Sequence, residues 1–183
     1  TGTMFGVEHT GVKPDIMTIG KGFGCGFPVT GLISTDEITA ALPFARPSSS
    51  SSSYGGNPLG ATAALATLET IEAEDLVGNA TRVGAVLLDG LRALQEKYEF
   101  IGDVRGRGLL IGMDLVTDRA TREPLPSRVT EAIFLGALRR GLLLMGYFSR
   151  VRINPPLVLT EREARDGVAI LDEVFAEIAP GGR

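Results

Sequence analysis

Residues Asp15 to Pro28 read DIMTIGKGFGCGFP, a short apolar run that meets a glycine cluster with a lysine at the joint. Asp15 to Gly20 is mostly apolar and β-compatible, with Pro14 before it and glycines after, and this predicts a buried strand. Val29 to Ile33 predicts a second one. Ligands of open α/β sheets bind beyond the carboxyl ends of strands, so Lys21 stands where a site would be. Gly20 and Gly22 leave room for a bulky group to approach the backbone, and a primary amine there suits a Schiff base with a carbonyl compound. Only Lys13, Lys21 and Lys97 occur in the chain, so few amines compete for the role. Taken alone, a strand-end lysine is more often just solvated.

Downstream, Ser34 and Glu37 have capping-box spacing, which predicts a short helix over about Asp36 to Leu42. Pro47 to Gly56 (PSSSSSSYGG) has the composition of a flexible linker. It runs into Asn57-Pro58, a helix-start pair, and an Ala-rich helix to about Glu74. Gly55-Gly56 before that helix start is compatible with an anion site. At Leu76 the pattern changes, which divides the chain into domains 1–75 and 76–183. Ala80, Val83, Leu87, Leu91 and Leu94 define one apolar helical face. Val104 to Val116 and Leu142 to Val158 contain strand-like runs, separated by a helix over about Arg128 to Arg140 that Gly141 ends. Thr160 and Glu163 form a capping box for a closing helix with Ala164, Val168, Leu171, Phe175 and Ile178 on its apolar face. The order α-β-β-α-β-β-α with antiparallel later strands predicts an α+β domain.

Composition narrows the function classes. The 183 residues carry 18 basic and 22 acidic side chains, net charge -4, with no Lys/Arg-rich run, which argues against nucleic acid as partner. No apolar stretch approaches the roughly 20 residues of a bilayer span, so no membrane is expected either. One cysteine and one histidine exclude an intrachain disulfide framework and an ordinary zinc site, so no metal is expected. A reducing compartment, hence the cytoplasm, is the expected location. The opening Thr1-Gly2-Thr3-Met4 carries no start or leader pattern, and the expectation is that the chain continues a longer protein.

Three stretches carry a family likeness: TGTMFGVEHTGVKPDIMTIGKGFGCGFPV, SSSYGGNPLGATAAL, and the pair GDVRGRGLLIG with VRINPPLVLTEREA. In their order and spacing they resemble the class III pyridoxal-phosphate-dependent aminotransferases, the ornithine and 4-aminobutyrate aminotransferase group. The resemblance implies an α/β protein of fold type I: the C-terminal part of a large mixed-sheet cofactor domain, then a small α+β C-terminal domain. It implies pyridoxal 5'-phosphate (PLP) as cofactor and Lys21 as the catalytic residue that holds it as a Schiff base and shuttles a proton. Ser53 and Tyr54 are implied as cofactor-binding residues. Ser53 falls where the family usually has Thr, whose hydroxyl and amide reach the cofactor phosphate of the neighbouring subunit. The implied assembly is therefore a homodimer with shared active sites.

Arg152 matches the family arginine that binds a substrate carboxylate or pairs with a glutamate when substrates change, and a guanidinium fork suits both jobs. Read without the family, an arginine before a proline pair neutralises a surface carboxylate. Arg105 and Arg107 are expected to serve the architecture of the small domain. Cys25 is expected to be a small buried residue beside the cofactor. The aspartate with which the family protonates the pyridine nitrogen is implied to lie upstream of Thr1. The implied reaction moves an amino group from an amine or ω-amino acid to a 2-oxo acid. Aminomutase, racemase and decarboxylating transaminase share the lysine motif and stay open as alternatives. A non-catalytic relative is the remaining one, against which the presence of Lys21 counts.

Overall fold

The chain folds as two units, Phe5–Leu76 and a second made of Thr1–Met4 with Val77–Arg183. The computed structural model describes residues 1–49, 51–145 and 148–179. Ser50 of the serine run, and Gly146 and Tyr147 of the Leu142 to Val158 stretch, lie outside the described residues.

In the unit Phe5–Leu76, strands β1 (Ile16–Ile19) and β2 (Gly31–Ser34) pair antiparallel, with Ile16 opposite Ser34 and Ile19 opposite Gly31. The expectation that the first strand is buried fails. Ile16, Leu32 and Ile33 are all about half exposed, because each strand has one hydrogen-bonded neighbour and no layer among the described residues covers the pair. Helix α1 (Asp36–Thr39) follows, and its cap is Thr35 rather than Ser34. The Thr35 hydroxyl accepts from the Ile38 amide, whereas the Ser34 hydroxyl donates to the Asp15 carbonyl across the hairpin. Helix α2 (Pro58–Ala73) starts as the sequence predicts: the Asn57 side chain accepts from the Gly60 amide at 2.7 Å and Pro58 fills the first turn. Gly60 and Ala64, one turn apart, are its buried positions.

The second unit is a helix layer on one face of an antiparallel sheet. Its elements are α3 (Leu76–Lys97), β3 (Ile101–Arg107), β4 (Leu110–Asp118), β5 (Glu123–Pro124), α4 (Ser127–Arg139), β6 (Arg150–Ile153) and α5 (Glu161–Ile178). Strand β4 is central: β3 pairs along one edge, and β6 and β5 pair with successive stretches of β4 itself. Instead of two strands, the described residues of Leu142 to Val158 supply β6 and one bridge between Met145 and Arg152. Pro155-Pro156 follows β6, and proline cannot donate to a ladder.

The apolar face predicted for α3 is buried throughout, as are Ala164, Leu171 and Phe175 of α5. They meet Ile101, Ile111, Met113, Leu115 and Val151 from the inner face of the sheet. Helix α3 passes so close to the β3–β4 turn that a Cβ on Gly84 would lie 2.3 Å from the Gly108 backbone. Both bonds of the capping box at the start of α5 form: the Thr160 hydroxyl accepts from the Glu163 amide and the Glu163 carboxylate accepts from the Thr160 amide. At the other end of α3, the Arg119 guanidinium donates to the carbonyl of Gln95 in the last helical turn and to those of Tyr98, Glu99 and Ile101 just beyond it. Lys97 and then Tyr98 hydrogen-bond Asp172 of α5 and hold its carboxyl below the ordinary carboxylate range.

Leu91 is fully buried at the middle of this core. Leu91→Ala should therefore lower stability by about 2–5 kcal/mol, through lost burial and the cavity left behind. Arg92→Ala, on the exposed side of the same turn, should stay within about 0.5 kcal/mol. Urea unfolding of the two variants checks this, and equal midpoint shifts would contradict the packing described.

Candidate active site

Lys21 opens a 3-10 turn, Lys21–Gly24, directly after β1. The glycines explain the turn. Gly20 is extended, with φ near 180°, while Lys21 takes φ 56° and Cys25 φ 46°, both left-handed. For a residue with a Cβ that region costs about 1–2 kcal/mol, and such strain gathers at functional sites. Three amide bonds hold the turn: Phe23 to Gly20, Cys25 to Gly22 and Phe27 to Gly24. It packs against α2, and Gly24 is buried, with room for no Cβ beside Val29. The backbone is thus clamped while the Lys21 side chain is exposed and has no ion pair or hydrogen bond among the described residues. Nothing within 4 Å would meet a Cβ on Gly22, so the space beside the lysine is open. Cys25, expected to be buried, is exposed, because the left-handed turn directs it away from the packed side.

The serine run leads into a tight turn before α2. The Gly55 amide donates to Ser52, and the Asn57 amide and side chain both donate to the Tyr54 carbonyl. Asn57 therefore ties the loop to the helix it caps. Ser53 and Tyr54 are exposed, Tyr54 at 82%. Lys21, Ser53 and Tyr54 belong to the unit Phe5–Leu76, and Arg152 belongs to the other.

Arg152 lies on β6 opposite Gly112 of β4, on the sheet face away from the helices. Its side chain is exposed and pairs with no carboxylate among the described residues. Arg105 behaves as expected of an architectural residue. It bonds Asp103 at 2.6 Å and Asp114 at 2.8 Å, and these bonds, Asp114 first, raise its pKa further. Asp103 lies two residues back on the same strand, whereas Asp114 is not legible from local spacing, because the β3–β4 register selects it.

The model of the aminotransferase class-III family matches residues 1–175. The chain belongs to the class-III aminotransferases. It is 38% identical over 182 residues to the leucine/methionine racemase of Thermococcus litoralis, covering 99% of this chain and 40% of that protein. It is 35% identical over 179 residues to the acetylornithine aminotransferase of Caldanaerobacter subterraneus subsp. tengcongensis, covering 97% and 42%. Among solved structures, the PLP-bound amine transaminase from an uncultivated Pseudomonas species superposes with a TM-score of 0.88 at 38% identity. That match covers 97% of this chain and 42% of that one. The chain thus has the fold of PLP-dependent transaminases and spans about two-fifths of the length of the curated relatives it matches.

The residues present fit part of what PLP requires. An unpartnered primary amine on a clamped turn suits its aldehyde, and an exposed hydroxyl beside Gly55-Gly56 and a helix start suits its phosphate. No group of three or more metal-ligating side chains occurs among the described residues, and no described helix is long and apolar enough to cross a membrane.

Proposed function

We propose that the protein is a PLP-dependent aminotransferase that moves an amino group from an amine or ω-amino acid to a 2-oxo acid. In this reading residues 1–75 form the C-terminal part of the large PLP-binding domain and 76–183 the small C-terminal domain. The observation that carries the reading is Lys21, an exposed amine without a partner on a strained turn, in a chain of class-III membership. When bound, PLP draws electrons from the amino-bearing carbon and makes its proton removable. Lys21 Nζ is the amine that would hold the cofactor, and once free it would take and return that proton. Ser53 and Tyr54 hold the phosphate end, with Ser53 reaching the neighbouring subunit of a homodimer. Arg152 grips a substrate carboxylate with two parallel hydrogen bonds. A cytoplasmic location agrees with the single cysteine, and cell fractionation tests it.

A screen of amino donors against 2-oxo acids on the full-length protein tests the reaction, followed by product chromatography. Amino transfer that requires the 2-oxo acid supports the reading. The second reading, racemisation, has a specific observation behind it, the likeness to a leucine/methionine racemase. Inversion of a single amino acid without any acceptor would replace the first reading with the second.

Arg152→Lys keeps the charge and loses the fork. It should weaken substrates bearing a carboxylate by roughly 1–3 kcal/mol and leave simple amines nearly unchanged. Steady-state kinetics with one substrate of each type checks this. Equal losses on both would assign Arg152 a structural role.

A further inference from the structure

The exposed sheet face around Arg152 is a charge lattice whose arrangement leaves one arginine out. Cross-strand register puts Arg105, Gly112 and Arg152 in one row and Asp103, Asp114 and Arg150 in the next. Residues opposite each other share a face, and a diagonal neighbour two positions along lies within reach of a long side chain. Asp114 is therefore opposite Arg150 and diagonal to both Arg105 and Arg152. It is also the least exposed carboxylate of the lattice, its side chain 27% accessible against 53% for Asp103. Gly112, between Arg105 and Arg152, has no side chain, and a Cβ there would meet nothing within 4 Å. No steric barrier separates Asp114 from Arg152. What separates them is occupancy: Arg105 Nη1 and Nη2 reach both Asp114 oxygens, at 2.8 and 3.4 Å, and Arg150 Nε stands 3.5 Å from Oδ1.

The geometry points to Arg105 as a positioning residue that keeps Arg152 unpaired by occupying Asp114. Asp103 accepts from the same Nη1 at 2.6 Å, so Arg105 is held by two carboxylates rather than free to leave. Without Arg105, Asp114 keeps only the longer contact to Arg150, an arginine whose side chain is 81% exposed. Arg152 is the remaining cation within reach. An Arg152 paired with Asp114 must break that pair before gripping a substrate carboxylate, so apparent affinity falls by the fraction of molecules that remain competent. The inference rests on the proposed role of Arg152 for its catalytic consequence, though not for the ion pairing itself.

The test uses the full-length holoenzyme and four variants: Arg105→Gln, Arg105→Lys, Asp114→Asn and the double variant Arg105→Gln/Asp114→Asn. Arg105→Gln should raise KM for a carboxylate-bearing substrate about fivefold, the scale of an exposed ion pair, with kcat and the kinetics of a simple amine little changed. Arg105→Lys should restore KM in large part, and so should the double variant, because it removes the competing carboxylate. A double-mutant cycle on unfolding stability between Asp114 and Arg152 reads the pairing directly. Coupling should be absent in the wild type and present in the Arg105→Gln background. Coupling that emerges without any KM change keeps the inference and removes the substrate role of Arg152. No coupling in the Arg105→Gln background, or a KM increase that Asp114→Asn does not reverse, overturns it.

Discussion

Lys21→Gly is expected to abolish amino transfer in the full-length protein while leaving it at least as stable to heat. The two halves of that expectation come from different properties of one residue. The lysine amine is the covalent anchor and the proton carrier of the proposed reaction, and glycine supplies neither. Its backbone, however, sits at φ 56°, where glycine carries no steric penalty and lysine carries about 1 kcal/mol. Lys21→Ala should be as inactive but without relief of the strain, so the pair separates lost chemistry from lost structure. Thermal melts of both variants alongside activity provide the comparison. Borohydride reduction of the holoenzyme adds a direct reading, since the reduced cofactor should be found on the peptide containing Lys21. A label on Lys13 or Lys97 would refute the assignment. The inactive subunit also tests the shared site. Combined in a demonstrated heterodimer with a subunit disrupted over Ser53 to Asn57, it should recover one working site, and no recovery would confine the loop to its own subunit.

Elements whose determinants lie within a few residues of one another were legible in the sequence. Asn57-Pro58 announces α2, Thr160 with Glu163 announces α5, and the three- and four-residue steps from Ala80 to Leu94 define the buried face of α3. Lys21 was legible for the same reason, as a lysine between glycines at a strand end. Readings failed where a distant partner decides. Ser34 has the spacing of a cap, but its hydroxyl is taken by the Asp15 carbonyl 19 residues away, and Thr35 caps in its place. β1 has the composition of a buried strand, yet burial depends on neighbours that composition does not specify. The arginines divide along the same line. Arg119 holds the end of α3 from the far side of a hairpin, and Arg105 meets Asp114 only through register. Neither role leaves a local pattern, whereas the left-handed φ of Lys21 is visible only once the backbone is known.

The 183 residues expressed alone should bind PLP weakly and catalyse no measurable amino transfer. The electron-withdrawing power of the cofactor depends on a protonated pyridine nitrogen, which in fold type I aminotransferases an aspartate maintains. A carboxylate serving the cofactor would have to lie near the end of the hairpin that carries Lys21. Asp15 and Asp36 are the aspartates on either side of the hairpin, and topology disposes of both. Asp15 precedes the strand that Lys21 follows, and six extended residues at about 3.3 Å each put it some 20 Å away. Asp36 follows β2, whose end at Ser34 pairs with Ile16, so it lies at the Asp15 end of the hairpin and not at the Lys21 end. There it occupies the first turn of α1, where a carboxylate is stabilised by the helix N-terminus. Glu8 is also engaged, its carboxylate accepting from the Phe5 amide at 2.6 Å. The exposed apolar positions of β1 and β2 point the same way, since a two-stranded pair with half-exposed isoleucines is marginal by itself in water. Side-by-side assays of the 183-residue chain and the full-length protein, each saturated with PLP, decide the matter. Comparable specific activity in the shorter chain would mean that a carboxylate within these residues serves the ring, and the expectation of an inactive 183-residue chain would have to be abandoned.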